Sequence, residues 1–293
     1  MAHRSSAKSV FSDASALLLL SRNPVQTILC KCRVGLLLLG IGLLSRPAAA
    51  ESITLTPVAD ATLIEVNPNN SSGGAEFFNA GTTQNHTRNR ALIQFDIAAS
   101  IPTGSAVLSV SLQLSVTRQP VDGFDVSLFG LHRMLRPWGE GVTIPIGNPG
   151  GLGAPAMTND ATWLHRFAHT GQSWAAPGGE PGIDFVPAFS SATLIFGVGD
   201  PYVFEGASAF AADVQFWLDH PDQNFGWMLL AQSEELPFTA RRFASRESSS
   251  PPLLFVEFEP VPEPRTMLLA SLALLIFTGF NRNFAQRMLQ QAL

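Results

Sequence analysis

Between residues 51 and 260 the chain has no lysine, no cysteine and a single tyrosine, Tyr202. Its two cysteines, Cys30 and Cys32, stand in a segment that reads as a removable leader. The mature body is therefore expected to lack a disulfide framework, a thiolate nucleophile and any cysteine-based metal site. In that stretch nine arginines stand against 21 carboxylates, a formal balance of −12. A body this acidic repels nucleic acid and anionic membrane surfaces, so no nucleic-acid partner is expected. An anionic ligand would have to meet a local arginine cluster. The catalytic signatures are missing as well. There is no G-x-S-x-G elbow, no H-E-x-x-H, no phosphate-binding G-x-x-x-x-G-K and no dinucleotide fingerprint. A non-catalytic protein is expected.

The two ends carry address signals. Lys31 and Arg33 precede the apolar segment 34–44, and Ala48, Ala49 and Ala50 offer a small-residue cleavage site before Glu51. This order predicts a signal peptide over 1–50, its apolar part helical and too short for a permanent anchor. At the other end Pro262-Glu263-Pro264 stops any regular element. The run 267–280 that follows has no charge and as a helix would reach about 21 Å, against a hydrocarbon core of about 30 Å. A thinned bilayer makes up such a difference, and Arg282 and Arg287 favour a cytoplasmic C-terminus. Pro-Glu-Pro, apolar helix and basic residues together resemble the PEP-CTERM sorting tail of exported bacterial proteins. That resemblance implies an exosortase-type processing partner, passage through the inner membrane by way of the tail at 261–293, and a final place at the cell surface or outside it.

The body at 51–260 reads as all-β. In 106–116, Ala106, Leu108, Val110, Leu112, Leu114 and Val116 alternate with polar residues, the period of a half-buried strand. Ala91, Ile93, Phe95 and Ile97 alternate with Gln94 and Asp96 in the same way. Short runs at 125–134, 193–198, 225–231, 239–245 and 253–258 are bounded by turn residues, and only 209–218 invites a helix. The expected architecture is a jelly-roll-like β-sandwich. The stretch 139–187 is rich in glycine and proline and reads as long loops, which on a β scaffold are functional or mobile.

Several spaced pieces resemble one family. They are Ala59-Asp60-Ala61-Thr62 with the Asn/Gly-rich 67–74, Asn89-Arg90-Ala91-Leu92-Ile93-Gln94-Phe95-Asp96, and Ile101-Pro102-Thr103-Gly104-Ser105-Ala106. Trp138-Gly139-Glu140, Ala161-Thr162-Trp163 and Phe243-Ala244-Ser245-Arg246-Glu247 with 251–257 complete the set. In this order they are similar to the DNRLRE domain, a secreted β-sandwich family related to alginate-binding carbohydrate modules. The resemblance implies association with extracellular polysaccharide in a biofilm or envelope matrix.

Sugar recognition calls for an apolar platform and a few placed polar groups. Trp138, Trp163 and Trp174 are candidate platforms, each with the alternative role of covering the core. Arg90, Arg242 and Arg246 are candidates for uronate carboxylates, since guanidinium binds them in bidentate fashion. The alternative for Arg90 and Arg246 is to pair with a carboxylate, such as Asp96 for Arg246, and lock two strands together. Calcium is a conceivable cofactor, with Asp60, Asp96 and Asp213 near element ends as its ligands. His165 and His169 would face one metal if their stretch were helical. Glu140, Asp160 and Glu180 offer carboxylates for a glycosidase pair. The reading that follows is a polysaccharide-associated exported protein. Its rivals are an adhesive matrix protein with no sugar site, and a polysaccharide lyase or hydrolase for which Tyr202 is the only tyrosine.

Overall fold

The structure, a computed structural model, describes residues 49–147 and 151–261. The signal segment and the sorting motif Pro262, Glu263 and Pro264 with its tail lie outside the described residues. Fifteen strands and one α-helix run in the order β1 (Glu51–Leu55), β2 (Ala59–Ile64), β3 (Asn70–Ser71), β4 (Phe77–Thr82), β5 (Arg88–Gln94), β6 (Ala106–Arg118), β7 (Ser127–Arg133) and β8 (Ala154–Pro155). Then come β9 (His165–Phe167), β10 (Gln172–Ser173), β11 (Ser191–Ile195), β12 (Gly199–Phe204), α1 (Ser208–Asp219), β13 (Trp227–Ala231), β14 (Arg241–Ala244) and β15 (Leu253–Glu259). The body is all-β, and the helix stands where 209–218 invites it. No helix among the described residues is long and apolar enough to cross a membrane.

Eleven strands form one antiparallel sheet in the order β1-β15-β6-β14-β4-β5-β13-β7-β11, with β12 added to β6 and β2 added to β5. The sheet curls at β4, which pairs with β14 on one side and with the end of β5 on the other. Curling brings Val110, Leu112, Leu114 and Val116 of β6 into one cluster with Ala91 and Ile93 of β5, Phe129 and Leu131 of β7, and Trp227 and Leu229 of β13. Helix α1 contributes Phe210, Val214, Trp217 and Leu218 to the same cluster. Its Trp217 ring stands 4.4 Å from that of Trp227, edge to face. Period-two alternation delivers this core from both halves.

The alternation expected for β6 breaks at one place. Ala106 and Leu108 are exposed, and Val107 packs against the core instead. The register on β15 passes from Glu257↔Ser109 to Phe258↔Val107, so Leu108 is the extra residue of a bulge. One inserted residue reverses which side chains point inward, and a period count cannot show it.

The described parts of this stretch, 139–147 and 151–187, are mostly non-strand, as their glycines and prolines predict, and 151–187 is packed rather than free. It covers the outer face of the β2–β5–β13 half, where Leu63, Leu92 and Met228 meet Trp138, Trp163, Trp174 and Phe185 in a second cluster. Backbone bonds from Leu135 N–H to Asp184 O and from Val186 N–H to Arg133 O tie its two ends together. Gly178 shows why glycine is needed there. Its φ is +84°, and a Cβ would lie 2.6 Å from the Trp163 ring.

Candidate functional site

The loop tryptophans do not form sugar platforms. Trp138, Trp163 and Trp174 are 7 %, 3 % and 5 % exposed, inside the second cluster. The Trp138 indole N–H donates to Phe225 O at 2.9 Å and that of Trp174 to Thr162 O at 2.8 Å, so their polar edges are also satisfied internally. The core-covering alternative holds for all three, because β5 and β13 are buried on both faces and need an apolar lid.

Arg90 is part of the same lid. Its Nε and Nη2 pair with the Glu234 carboxylate at 2.8 and 2.6 Å, and Nη1 donates to Gly178 O and Gly179 O. The guanidinium lies over both Trp163 and Phe185. Four of its five N–H groups are engaged internally and the side chain is 11 % exposed, so Arg90 serves the lid rather than an open sugar groove. Arg88, its neighbour on β5, pairs with Glu65. Breaking a pair as buried as Arg90–Glu234 strands one charge and typically costs ~3–5 kcal/mol. Arg90→Ala should therefore lower the urea-unfolding free energy by about that much while leaving glycan affinity per folded molecule unchanged. Lost affinity at unchanged stability would restore Arg90 to the site.

Arg246 is also committed, though not to Asp96. Its Nε meets Glu140 Oε1 at 2.6 Å and Glu247 Oε1 at 2.8 Å, while its backbone N–H donates to Asp60 Oδ2 at 2.8 Å. Glu140 Oε1 also accepts the Asp60 N–H at 2.9 Å. Three separated motifs of the sequence, at Asp60, at 138–140 and at 243–247, thus meet in one clasp. Its three carboxylates each place an oxygen within 4.8 Å of the others, and Arg246 supplies the positive charge among them.

A calcium site built from Asp60, Asp96 and Asp213 is not formed. Asp96 is exposed and caps the turn at Ala99 N–H. Asp213, on α1, accepts from Ser190 and the Trp227 indole and pairs with Arg133 at 3.0 Å. The histidine pair fails for a geometric reason. His165 is in β9 and His169 in the following turn at φ +61°, so the helix that would put them on one face does not exist. Asp160 is buried and accepts from Thr143 Oγ1 and Met157 N–H.

The clasp has a consequence for stability. Burial raises the Asp60 carboxyl from 3.8 to about 8; the Arg246 backbone N–H opposes this, and the neighbouring Glu247 and Glu140 charges reinforce it. Burial also raises Glu140. Folded protein thus binds more protons than the unfolded chain between the ordinary carboxylate range and pH 8, and stability falls as pH rises through that window. Thermal melts from pH 5 to 9 should show a falling melting temperature, and Asp60→Asn should flatten the slope to what Glu140 and Asp213, raised by burial, and His132, lowered by burial and acting in the opposite sense, leave. An identical slope in the variant would remove Asp60 as its source.

The remaining candidate, Arg242, lines an open cleft of about 400 Å³. The β14–β6 register sets Arg242 directly opposite Arg118, which also lines it. Arg242 lies over the Phe77 ring at 3.7 Å. Burial, then the nearby Arg118 charge, pulls its pKa down to about 10, still cationic at neutral pH. Two like charges at a cross-strand position are unfavourable by themselves. The rest of the lining has buried Arg241, the amides of Asn79, Asn89 and Gln119 and the hydroxyls of Thr83 and Thr87, beside apolar Val66 and Val121. Guanidinium groups, amides and hydroxyls in one open groove can hold a carboxylate and orient sugar hydroxyls.

Arg118 was not among the expected contacts. Nothing local marks it, since it ends a strand two residues past Val116, and only the pairing with β14 brings it to Arg242. Arg241, the other neighbour in sequence, is buried, with guanidinium bonds to the carbonyls of Phe196, Phe238, Ala240 and Asp125. Neither a protein-family model nor a curated protein matches the chain.

Proposed function

We propose that this chain is an exported, non-catalytic protein that binds an acidic extracellular polysaccharide in the cleft between Arg118 and Arg242. The observation that carries the reading is the cross-strand register of these two arginines, in a groove lined also by Arg241 and by amides, hydroxyls and apolar groups, on a body of charge −12. A cationic groove on an anionic surface selects for a ligand whose charge is local and planar, as a uronate carboxylate is. The leader at 1–50 and the PEP-CTERM-like tail at 261–293 support export, exosortase-type processing and a surface or extracellular place. The resemblance to DNRLRE domains, and two sheet halves facing one core, support a jelly-roll-like sandwich as the finer description of the fold.

An adhesive matrix role is the second reading. Val142, Ile144 and Ile146 are exposed along one extended segment, an apolar stripe of the kind that marks protein contacts.

The test is equilibrium binding of the full chain, in mild detergent, to alginate and to a neutral glycan at two salt concentrations. Alginate should bind saturably and more weakly at high salt, the neutral glycan should not, and Arg242→Ala or Arg118→Ala should weaken alginate by about tenfold or more. Absence of alginate binding, or equal binding of the neutral glycan, would overturn the acidic-glycan reading. Loss of self-association in a variant with Ile144 and Ile146 changed to serine would favour the adhesive one.

A further inference from the structure

Beside the arginine cleft runs an apolar strip that belongs to neither core. Val121, which lines the cleft, is 84 % exposed, and Phe124, Phe196 and Val198 are all exposed as well. The strip is held together by polar ties beneath it. Gln119, another lining residue, accepts the Val198 N–H on its side-chain oxygen at 2.7 Å. Arg241 donates from Nε to Phe196 O at 2.8 Å and carries the Phe124 ring at 5.0 Å. A side chain on Gly197 would stand 3.2 Å from the Phe124 ring, so the Phe196–Val198 turn and Phe124 are in contact range. Water-facing aromatic and branched residues fixed in this way keep an apolar surface in place at a cost in solvation.

We propose that this strip is the ring-stacking subsite of the cleft, on which the less polar face of a pyranose lies while its carboxylate reaches Arg242 and Arg118. The inference rests on the acidic-polysaccharide reading and deepens it. The occupant is a uronate chain, for two reasons. The strip is continuous with a groove where Arg118 and Arg242 stand opposite each other in register, and charge complementarity there calls for an anion. The strip itself offers what a carboxylate cannot use, a flat surface for C–H groups. It supplies the platform that Trp138 and Trp174, being buried, do not.

The test compares three probes on the full chain: uronate oligomers from alginate, a poly-glutamate that has carboxylates but no sugar ring, and a neutral oligosaccharide. The variants are Phe196→Ser with Val198→Ser, both at exposed positions, and Arg242→Ala, each checked for an unchanged melting temperature. The strip variant should lose about tenfold in affinity for uronate oligomers and nothing for poly-glutamate, whereas Arg242→Ala should weaken both. Wild-type uronate affinity in the strip variant, with the Arg242 dependence intact, would overturn the stacking subsite and leave the cleft standing. Parallel loss for poly-glutamate would overturn it too, since ring stacking would then not be the cause. A strip variant that changes only the sedimentation behaviour would make the strip a protein contact instead. No uronate binding by the unaltered chain would sink subsite and cleft together.

Discussion

A sheet half that is buried on both faces must be covered twice, and most of this structure follows from that need. β5 and β13 send Ala91, Ile93, Trp227 and Leu229 into the principal core and Leu92 and Met228 the opposite way. The first face is covered by the other half of the curled sheet and by α1. Among the described residues the second meets no helix and only the short β9–β10 pair, so it is covered by Trp138 and by an irregular lid at 151–187 carrying Trp163, Trp174 and Phe185. An irregular lid has backbone carbonyls to satisfy and little regular pairing to do it. Arg90 meets part of that demand by reaching through to Gly178 and Gly179 while Glu234 neutralises it.

Charge is distributed by the same logic. In a body with nine arginines, several are tied into internal work: Arg90 in the lid, Arg133 at Asp213, Arg241 at four carbonyls, and Arg246 in the carboxylate clasp. Arg118 and Arg242 stand opposite each other in the β6–β14 register and line an open groove, with Arg242 over the Phe77 ring. Burial first, and the Arg118 charge after it, lower the proton affinity of Arg242. Arg246 shows the reverse case, one cation shared by two carboxylates beside a third that burial drives toward its protonated form.

Much of the fold was legible in the residues. Alternation in 110–116 marked a strand with one core-facing side, and in 91–97 it marked the side facing the principal core, although Leu92 packs into the second cluster and β5 ends at Gln94. The helix at Ser208–Asp219 stood out as the one exception among short runs. Alternation failed at Leu108, where a bulge belongs to the pairing with β15 and not to β6 alone. The tryptophans at 138, 163 and 174 were legible as important but ambiguous in role. An indole in a loop is equally suited to a ligand or to a core until the second face of the sheet is known to need covering. The motif residues Asp60, Glu140, Arg246 and Glu247 were visible one by one, yet their meeting in one clasp depends on contacts 80 and 186 residues apart in the chain.

By itself the sequence determined the β class, the acidic balance and absence of cysteine over 51–260, and the rule that any anionic ligand would need clustered arginines. These are properties of composition and short-range period, which survive without knowledge of what pairs with what. Tertiary structure alone decided which arginines cluster. Arg242 is adjacent to Arg241 in the chain, but strand geometry sends its neighbour's guanidinium to buried carbonyls, and it is the register between β6 and β14 that sets Arg118 opposite Arg242. Register is a long-range choice made by the core as a whole, so the site it creates has no local signature.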